Sequence, residues 1–367
     1  MRRSAPVSPT RIHRYSRAGL LALVLAEAAI GFGQVIENSA KPSAKNAGRV
    51  LKLAEALRIT DESGAFYFKY PRNLQIADDG TIFMIDAEQF LKFSPDGTFL
   101  KNLYKKGQGP GEIGGNYFYY LTHGRDLFIR DMNYGRLWRT DIDGIFQEQI
   151  NLVNKDYRGL LGIIPDGLLF LKSIMPPPEE RTGKLMEILE TVVLVAMDGL
   201  RQRDIATFRP KQFLAPQAGM SWDPEIIELS PDGKLLYGVH SRDYLIEVVD
   251  LASGTTIRRI ARAYLKVRHV EKDWEPDFRR KYGSPKIEFE PDIVGLFPAG
   301  DRIWVATSTD DKVKGRLIDV FDMEGRFVDS FYLGAGRSLM AVGEGFLFCQ
   351  EKKEDETITI VKYRIQR

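Results

Sequence analysis

The chain has a single cysteine, Cys349, and four histidines in 367 residues. One cysteine excludes an intramolecular disulfide and every paired-cysteine metal or redox motif. No cysteine follows the N-terminal apolar run, so a lipid anchor is not expected. The histidines are scattered at positions 13, 123, 240 and 269, too far apart in the repeat pattern described below to form a three-histidine zinc site. G-x-S-x-G, P-loop and H-E-x-x-H motifs are all missing, which leaves nucleophilic catalysis without a candidate. Gly109–Gly114 spells the dinucleotide fingerprint G-x-G-x-x-G, but it contains Pro110 and leads into the aromatic segment Tyr117–Tyr120. It therefore lacks the helix N-terminus that such a motif needs to hold a pyrophosphate.

An excess of charge of one sign is also missing. The whole chain carries 52 basic and 50 acidic residues. Its first 33 residues hold five of the arginines (Arg2, Arg3, Arg11, Arg14 and Arg17) followed by an apolar run from Ala18 to Gly33 broken by Glu27. Without them the balance is slightly acidic, and no Lys/Arg cluster offers the positive face that binds nucleic acid. The run is shorter than the ~20 apolar residues of a membrane span. A carboxylate near its middle would cost roughly 2.5–3.5 kcal/mol on insertion. Residues 1–33 thus read as a signal peptide, cleaved near Ala26-Glu27-Ala28 or before Gln34, with a retained anchor as the alternative. The protein is expected in a periplasm or outside the cell, touching a membrane only if that segment stays. Residues 34–48 read as a linker.

Glycine is plentiful, and it falls into two ladders of turns. Asp79-Gly80, His123-Gly124, Asp166-Gly167, Asp232-Gly233, Ala299-Gly300 and Glu344-Gly345 each precede a short apolar run such as Ile82–Ile85 or Ile303–Val305. A second set, Asp96-Gly97, Asp143-Gly144, Asp198-Gly199, Ser253-Gly254 and Glu324-Gly325, follows the first five. Both are hairpin signals, because glycine accepts the positive φ of a tight strand connection. The first ladder repeats every 43–45 residues except for two longer steps of 66 and 67. Two hairpins per unit make four strands, the period of a propeller blade. Runs that are apolar without alternation suit sheets covered on both faces. The sixth unit ends one strand short at Arg367. Residues 49–60, RVLKLAEALRIT, are read as the strand that completes it, with an amphipathic helix as the alternative. The expected fold is all-β: a six-bladed β-propeller spanning residues 49–367, closed by an N-terminal strand that completes the last blade.

The segments YPRNLQIADDGTIFMID (70–86), FLKFSPDGTFLKNLYKKGQGPGEI (90–113) and RDLFIRDMNYGRLWRTDIDGIF (125–146) resemble NHL repeats. That resemblance implies a propeller that binds a ligand or protein. Because some NHL-like propellers are metal-dependent lyases and related six-bladed ones are lactonases, it also admits a calcium-assisted enzyme. Repeat phase puts Tyr70, Arg72, Arg136, Trp222, His240 and Arg242 on the top face as candidate contacts for an unidentified protein or small molecule. Asp86, Asp131, Asp243 and Asp310 are the candidate calcium ligands, since hard cations take carboxylates. The leading expectation is a non-catalytic binding or scaffold propeller without a cofactor. Two insertions, Ser173–Glu190 and Lys266–Asp292, are expected on the same face, and buried Cys349 is read as an inert core residue.

Overall fold

The computed structural model describes residues 33–61, 64–154, 156–181, 185–214, 223–283, 286–353 and 355–366. They form a six-bladed β-propeller whose blades span residues 71–102, 118–150, 159–208, 227–262, 293–332 and 337–365. Blades 1 to 5 are each an antiparallel meander of four strands, ordered from the channel outward. All eleven turn glycines of the two ladders have positive φ. Gly199 shows what the residue permits: its φ is +76°, and a Cβ there would sit 2.3 Å from the Asn151 carbonyl oxygen.

Chain content outside the meanders is also ordered. Gln34–Asn38 runs parallel to the outer strand of blade 4, Thr255–Arg262, and Arg49–Val50 parallel to that of blade 5, Phe327–Tyr332. Leu53–Ile59 is a strand rather than a helix, and pairs antiparallel with Ile358–Ile365 as the outermost strand of blade 6. Residues 34–48, read above as a linker, are therefore a strap. Asn38 stitches blades 4 and 5: its amide donates to Ala261 O (3.0 Å) and Gly325 O (2.9 Å), and its side-chain oxygen accepts from Phe327 N (2.8 Å). Arg49 holds Asp329 through two bonds of 2.9 and 2.8 Å.

The apolar core is divided into six clusters, one at each junction between neighbouring blades. Phe83, Phe90, Tyr120 and Trp138 fill the junction of blades 1 and 2, while Ile59, Phe93, Phe348 and Ile360 fill that of blades 6 and 1. Strands such as Ile82–Asp86 and Gln89–Phe93 are buried at every position, because each lies between two neighbouring sheets. A fully buried Leu or Phe contributes roughly 1.5–3 kcal/mol. Each cluster of about ten such side chains thus outweighs any single polar contact described below. Cys349 belongs to the junction of blades 5 and 6, where burial pushes its thiol up to about 12.

The turns of both glycine ladders lie on one face, here called the bottom. Hairpins between the second and third strands of each blade, and the loops between blades, lie on the top. Of the two insertions, the first carries Leu185–Glu187, paired with Lys211–Phe213; the second carries the helix Glu275–Tyr282, ended by Gly283 in the left-handed conformation. Gly109–Gly114 is part of the loop between blades 1 and 2, where the Glu112 carboxylate accepts from Gly109 N at 2.7 Å.

Candidate functional site

The top face consumes most of the polar residues that repeat phase assigned to a ligand. Arg72 donates to Asn116 O (2.8 Å) and Phe118 O (3.5 Å) of the next blade. Arg136 donates to Gln108 O, Glu112 O and Asp131, and its guanidinium lies 4.7 Å from the Tyr134 ring and 4.6 Å from that of Trp138. Arg242 is buried against Asp223 (2.7 Å), reaches Phe289 O and covers the Phe213 ring. His240 Nε2 is 2.6 Å from Glu247, which also meets Arg259 at 3.2 Å. These four side chains hold loops and strands together. Only Tyr70, 69% exposed, is presented to solvent, and Trp222 lies outside the described residues.

The proposed calcium ligands are likewise not brought together. Asp86 is fully buried and accepts the backbone N–H groups of Lys69 (2.7 Å) and Tyr70 (2.8 Å). Burial raises its carboxyl, and those two donors oppose the rise. Asp131 does the same for Gly114 N (3.0 Å) and Asn133 N (2.9 Å), with Arg136 at 3.1 Å. Asp310 pairs with Arg316 at 3.1 Å, and Asp243 is exposed on blade 4. Among the described residues no group of three or more metal-binding side chains occurs.

A different cluster does converge, at the channel mouth between blades 2, 3 and 4. Tyr117 and Tyr119 stand at the top of the inner strand of blade 2, their ring centroids 5.8 Å apart and their hydroxyls 3.4 Å apart. Burial first, and the Tyr117 hydroxyl second, raise Tyr119 well above an ordinary phenol. Across from them, Arg158 and Gly159 open the inner strand of blade 3, and Glu225 precedes that of blade 4. The Glu225 carboxylate accepts from Ser173 Oγ at 2.9 Å. Glu190, 2% exposed, accepts from Gln212 Nε2 at 3.2 Å. Burial, then the neighbouring Glu225 charge, push Glu190 up to about 8 against the pull of Gln212 and Arg158. Among the described residues the one side-chain partner of the Arg158 guanidinium is the Met175 sulfur at 3.7 Å, a weak acceptor.

This mouth shares Leu160, Leu161 and Ile227 with the central channel, a cavity of about 440 Å³ lined by the inner strands of all six blades. Most of the residues that line it are apolar, Leu74, Leu121, Leu229, Phe297 and Met340 among them, but polar atoms supply the larger part of the surface open to it. Of its polar residues, Asn73 and Gln75 are tied to blade 2: both donate to Tyr120 O, at 3.3 and 2.8 Å, and Gln75 also accepts from Thr122 N. Glu228 is different. Its side chain is exposed to the channel, and desolvation by the surrounding wall alone pushes its carboxyl up to about 7.

Tyr117, Tyr119, Arg158, Glu190, Glu225 and Glu228 were not singled out as site residues by sequence. For Glu228 a signal existed, since it is the sole carboxylate within the six inner strands.

The fold and this axial cavity define a six-bladed propeller with a polar mouth on a central channel. No family profile and no curated protein sequence matches the chain. Solved structures do. A protein from Bacteroides fragilis NCTC 9343 described as exported is similar over 91% of this chain and all of its own, at 10% identity and a TM-score of 0.58. A member of the DUF4221 family from Bacteroides vulgatus ATCC 8482 is similar over 88% of this chain and all of its own, at 12% identity and a TM-score of 0.56. A gluconolactonase from Xanthomonas campestris covers 88% of this chain and 99% of its own, at 13% identity and a TM-score of 0.44. At these identities the likeness is one of fold, and it does not carry an NHL-repeat relationship.

Proposed function

We propose that the protein is an exported binding propeller, built from NHL-like blades, that takes a small amphipathic ligand through the mouth between blades 2, 3 and 4 into the channel. The observation that carries this reading is the pairing of a cavity of about 440 Å³, lined mostly by apolar residues, with a rim of polar side chains that the scaffold does not use up. Ligand sites are typically apolar clefts of roughly 300–1,000 Å³ with a few convergent polar groups, and groups with displaced titration mark them. Tyr119, Glu190 and Glu228 are such groups.

The arginine-rich and then apolar first 33 residues support export, as does the exported description of the Bacteroides fragilis protein that shares the fold. N-terminal sequencing of protein recovered outside the cytoplasm tests that half; a chain starting at residue 29 or 34 is expected. For the channel, small amphiphiles screened by calorimetry against the wild type and Leu161→Trp make the test. Leu161 lines both mouth and channel, so the indole blocks the passage, and wild-type binders are expected to weaken at least tenfold. Binders indifferent to the block would place the ligand elsewhere and end the reading.

A further inference from the structure

The mouth between blades 2, 3 and 4 holds two opposite charges that do not meet. Arg158 enters it from the start of blade 3, where its backbone N–H donates to Leu171 O at 2.7 Å. Glu225 enters it from the segment before the inner strand of blade 4, steadied by the Ser173 hydroxyl at 2.9 Å. Both line one pocket of about 150 Å³, yet among the described residues neither takes part in an ion pair, and the one side-chain partner of the guanidinium is the Met175 sulfur. Glu190 lies close enough to feel both charges, but its carboxyl, pushed up to about 8, holds its proton at neutral pH and leaves Arg158 to the pocket. The rest of the lining is mainly apolar: Leu160, Leu161, Leu171 and Ile227 belong to it, and apolar atoms supply the larger part of its open surface. Tyr117 and Tyr119 complete it, with Glu225 near enough for its charge to reach the Tyr119 hydroxyl.

We infer that the ligand of this mouth is a small zwitterion with an apolar side chain, in its simplest form an α-amino acid, its carboxylate on Arg158, its ammonium group on Glu225 and its side chain against Leu160, Leu161 and Ile227. The inference rests on the channel reading above and adds the ligand's chemistry to it. The size fits, since a pocket of about 150 Å³ has the volume of roughly five waters at ~30 Å³ each. A ligand with one charge would satisfy half of the site: an anion drawn to Arg158 is opposed by Glu225, and a cation drawn to Glu225 is opposed by Arg158. A neutral ligand would strip water from both charged groups and return no charge-assisted bond to either. A zwitterion answers both at once, and charge-assisted bonds are about twice as strong as neutral ones. The planar guanidinium fork matches a carboxylate, and the tyrosine faces on the side of Glu225 attract an ammonium group.

The test is calorimetry at pH 7 on the mature protein with L-leucine and its two halves, 3-methylbutylamine, which lacks the carboxylate, and 4-methylpentanoate, which lacks the ammonium group. Leucine is expected to bind the wild type at least tenfold more tightly than either half. Arg158→Gln should weaken leucine at least tenfold and leave 3-methylbutylamine no weaker than in the wild type. Glu225→Gln should weaken leucine as much and leave 4-methylpentanoate no weaker. Arg158→Lys, which keeps the charge, should recover most of the leucine affinity. Glu225 is exposed, so its variant decides the matter even if thermal melts show Arg158→Gln to be unfolded. Leucine binding no better than its halves, or losing affinity in neither variant, overturns the zwitterion assignment. So does a wild type that binds none of the three, and in each case the amphiphile screen against Leu161→Trp still decides the channel reading by itself.

Discussion

Blades 1 and 2 bury their top-face carboxylates under converging backbone N–H groups, whereas blade 3 buries Glu190 beside the channel mouth with one side-chain donor and blade 4 leaves Glu228 open to the channel with none. Asp86 and Asp131 each receive two main-chain N–H groups, so their negative charge is matched by dipoles the loops had to place somewhere. Glu190 receives one amide from Gln212, and Glu228 receives nothing. The first pair organise loops. Glu190 is a poor choice for stability alone, because a buried carboxyl with so few partners favours the protonated state, and the fold is weakened when it loses its proton. Buried acidic residues thus divide into those that build the scaffold and those that the scaffold tolerates.

If the division is real, removing charge should have opposite signs on the two sides. The largest effect belongs to Asp86→Ala, which takes the acceptor from two partly buried N–H groups; each is worth roughly 1–3 kcal/mol when unsatisfied. A loss of about 3 kcal/mol is expected in urea unfolding, and a change under 1 kcal/mol would erase the distinction. Glu190→Gln should act in the other direction. The Glu190 carboxyl titrates near 8 in the fold against 4.5 ordinarily, so the folded state holds a proton that the unfolded chain releases between those values. Its stability contribution is complete below pH 4.5 and is lost as pH climbs through 8. The variant should match wild type near pH 4 and exceed it at pH 8.5 by on the order of 2 kcal/mol. The melting temperature would read this as a gap of a few degrees that opens with pH; a gap constant with pH would sink the assignment. Arg49→Ala sharpens the comparison from a third side. Its partner Asp329 is partly open to water, so the pair contributes at most about 1 kcal/mol. A larger loss in urea would mean that the strap depends on this pair more than its exposure implies.

The architecture was legible because the turns leave a mark in sequence. A two-residue connection needs positive φ, glycine supplies it, and Gly80, Gly124, Gly167, Gly233, Gly300 and Gly345 recur at blade spacing with that conformation. The site was much less legible. Arg72, Arg136 and Arg242 occupy the phase of ligand contacts, but the carbonyls and carboxylates they serve lie 5 to 47 residues away on other loops and strands, and no local pattern announces such partners. The converse error hid Glu190, which closes an insertion whose path over blade 3 sequence spacing does not determine. Residues 34–48 carried no apolar periodicity because a strap on a sheet edge is held by main-chain bonds and by Asn38, neither of which needs a hydrophobic stripe.

The direction of that strap has a geometric outcome. Gln34–Asn38 runs alongside Arg258–Arg262 in the same sense, climbing from the rim where Ser253-Gly254 turns toward the opposite rim. Gly33 is wedged at the lower end, where a Cβ would lie 2.5 Å from the Thr256 carbonyl oxygen. Gly33 consequently stands at the underside of the wheel, at blade 4, on the face opposite the opening that Tyr117, Glu225 and Arg158 surround.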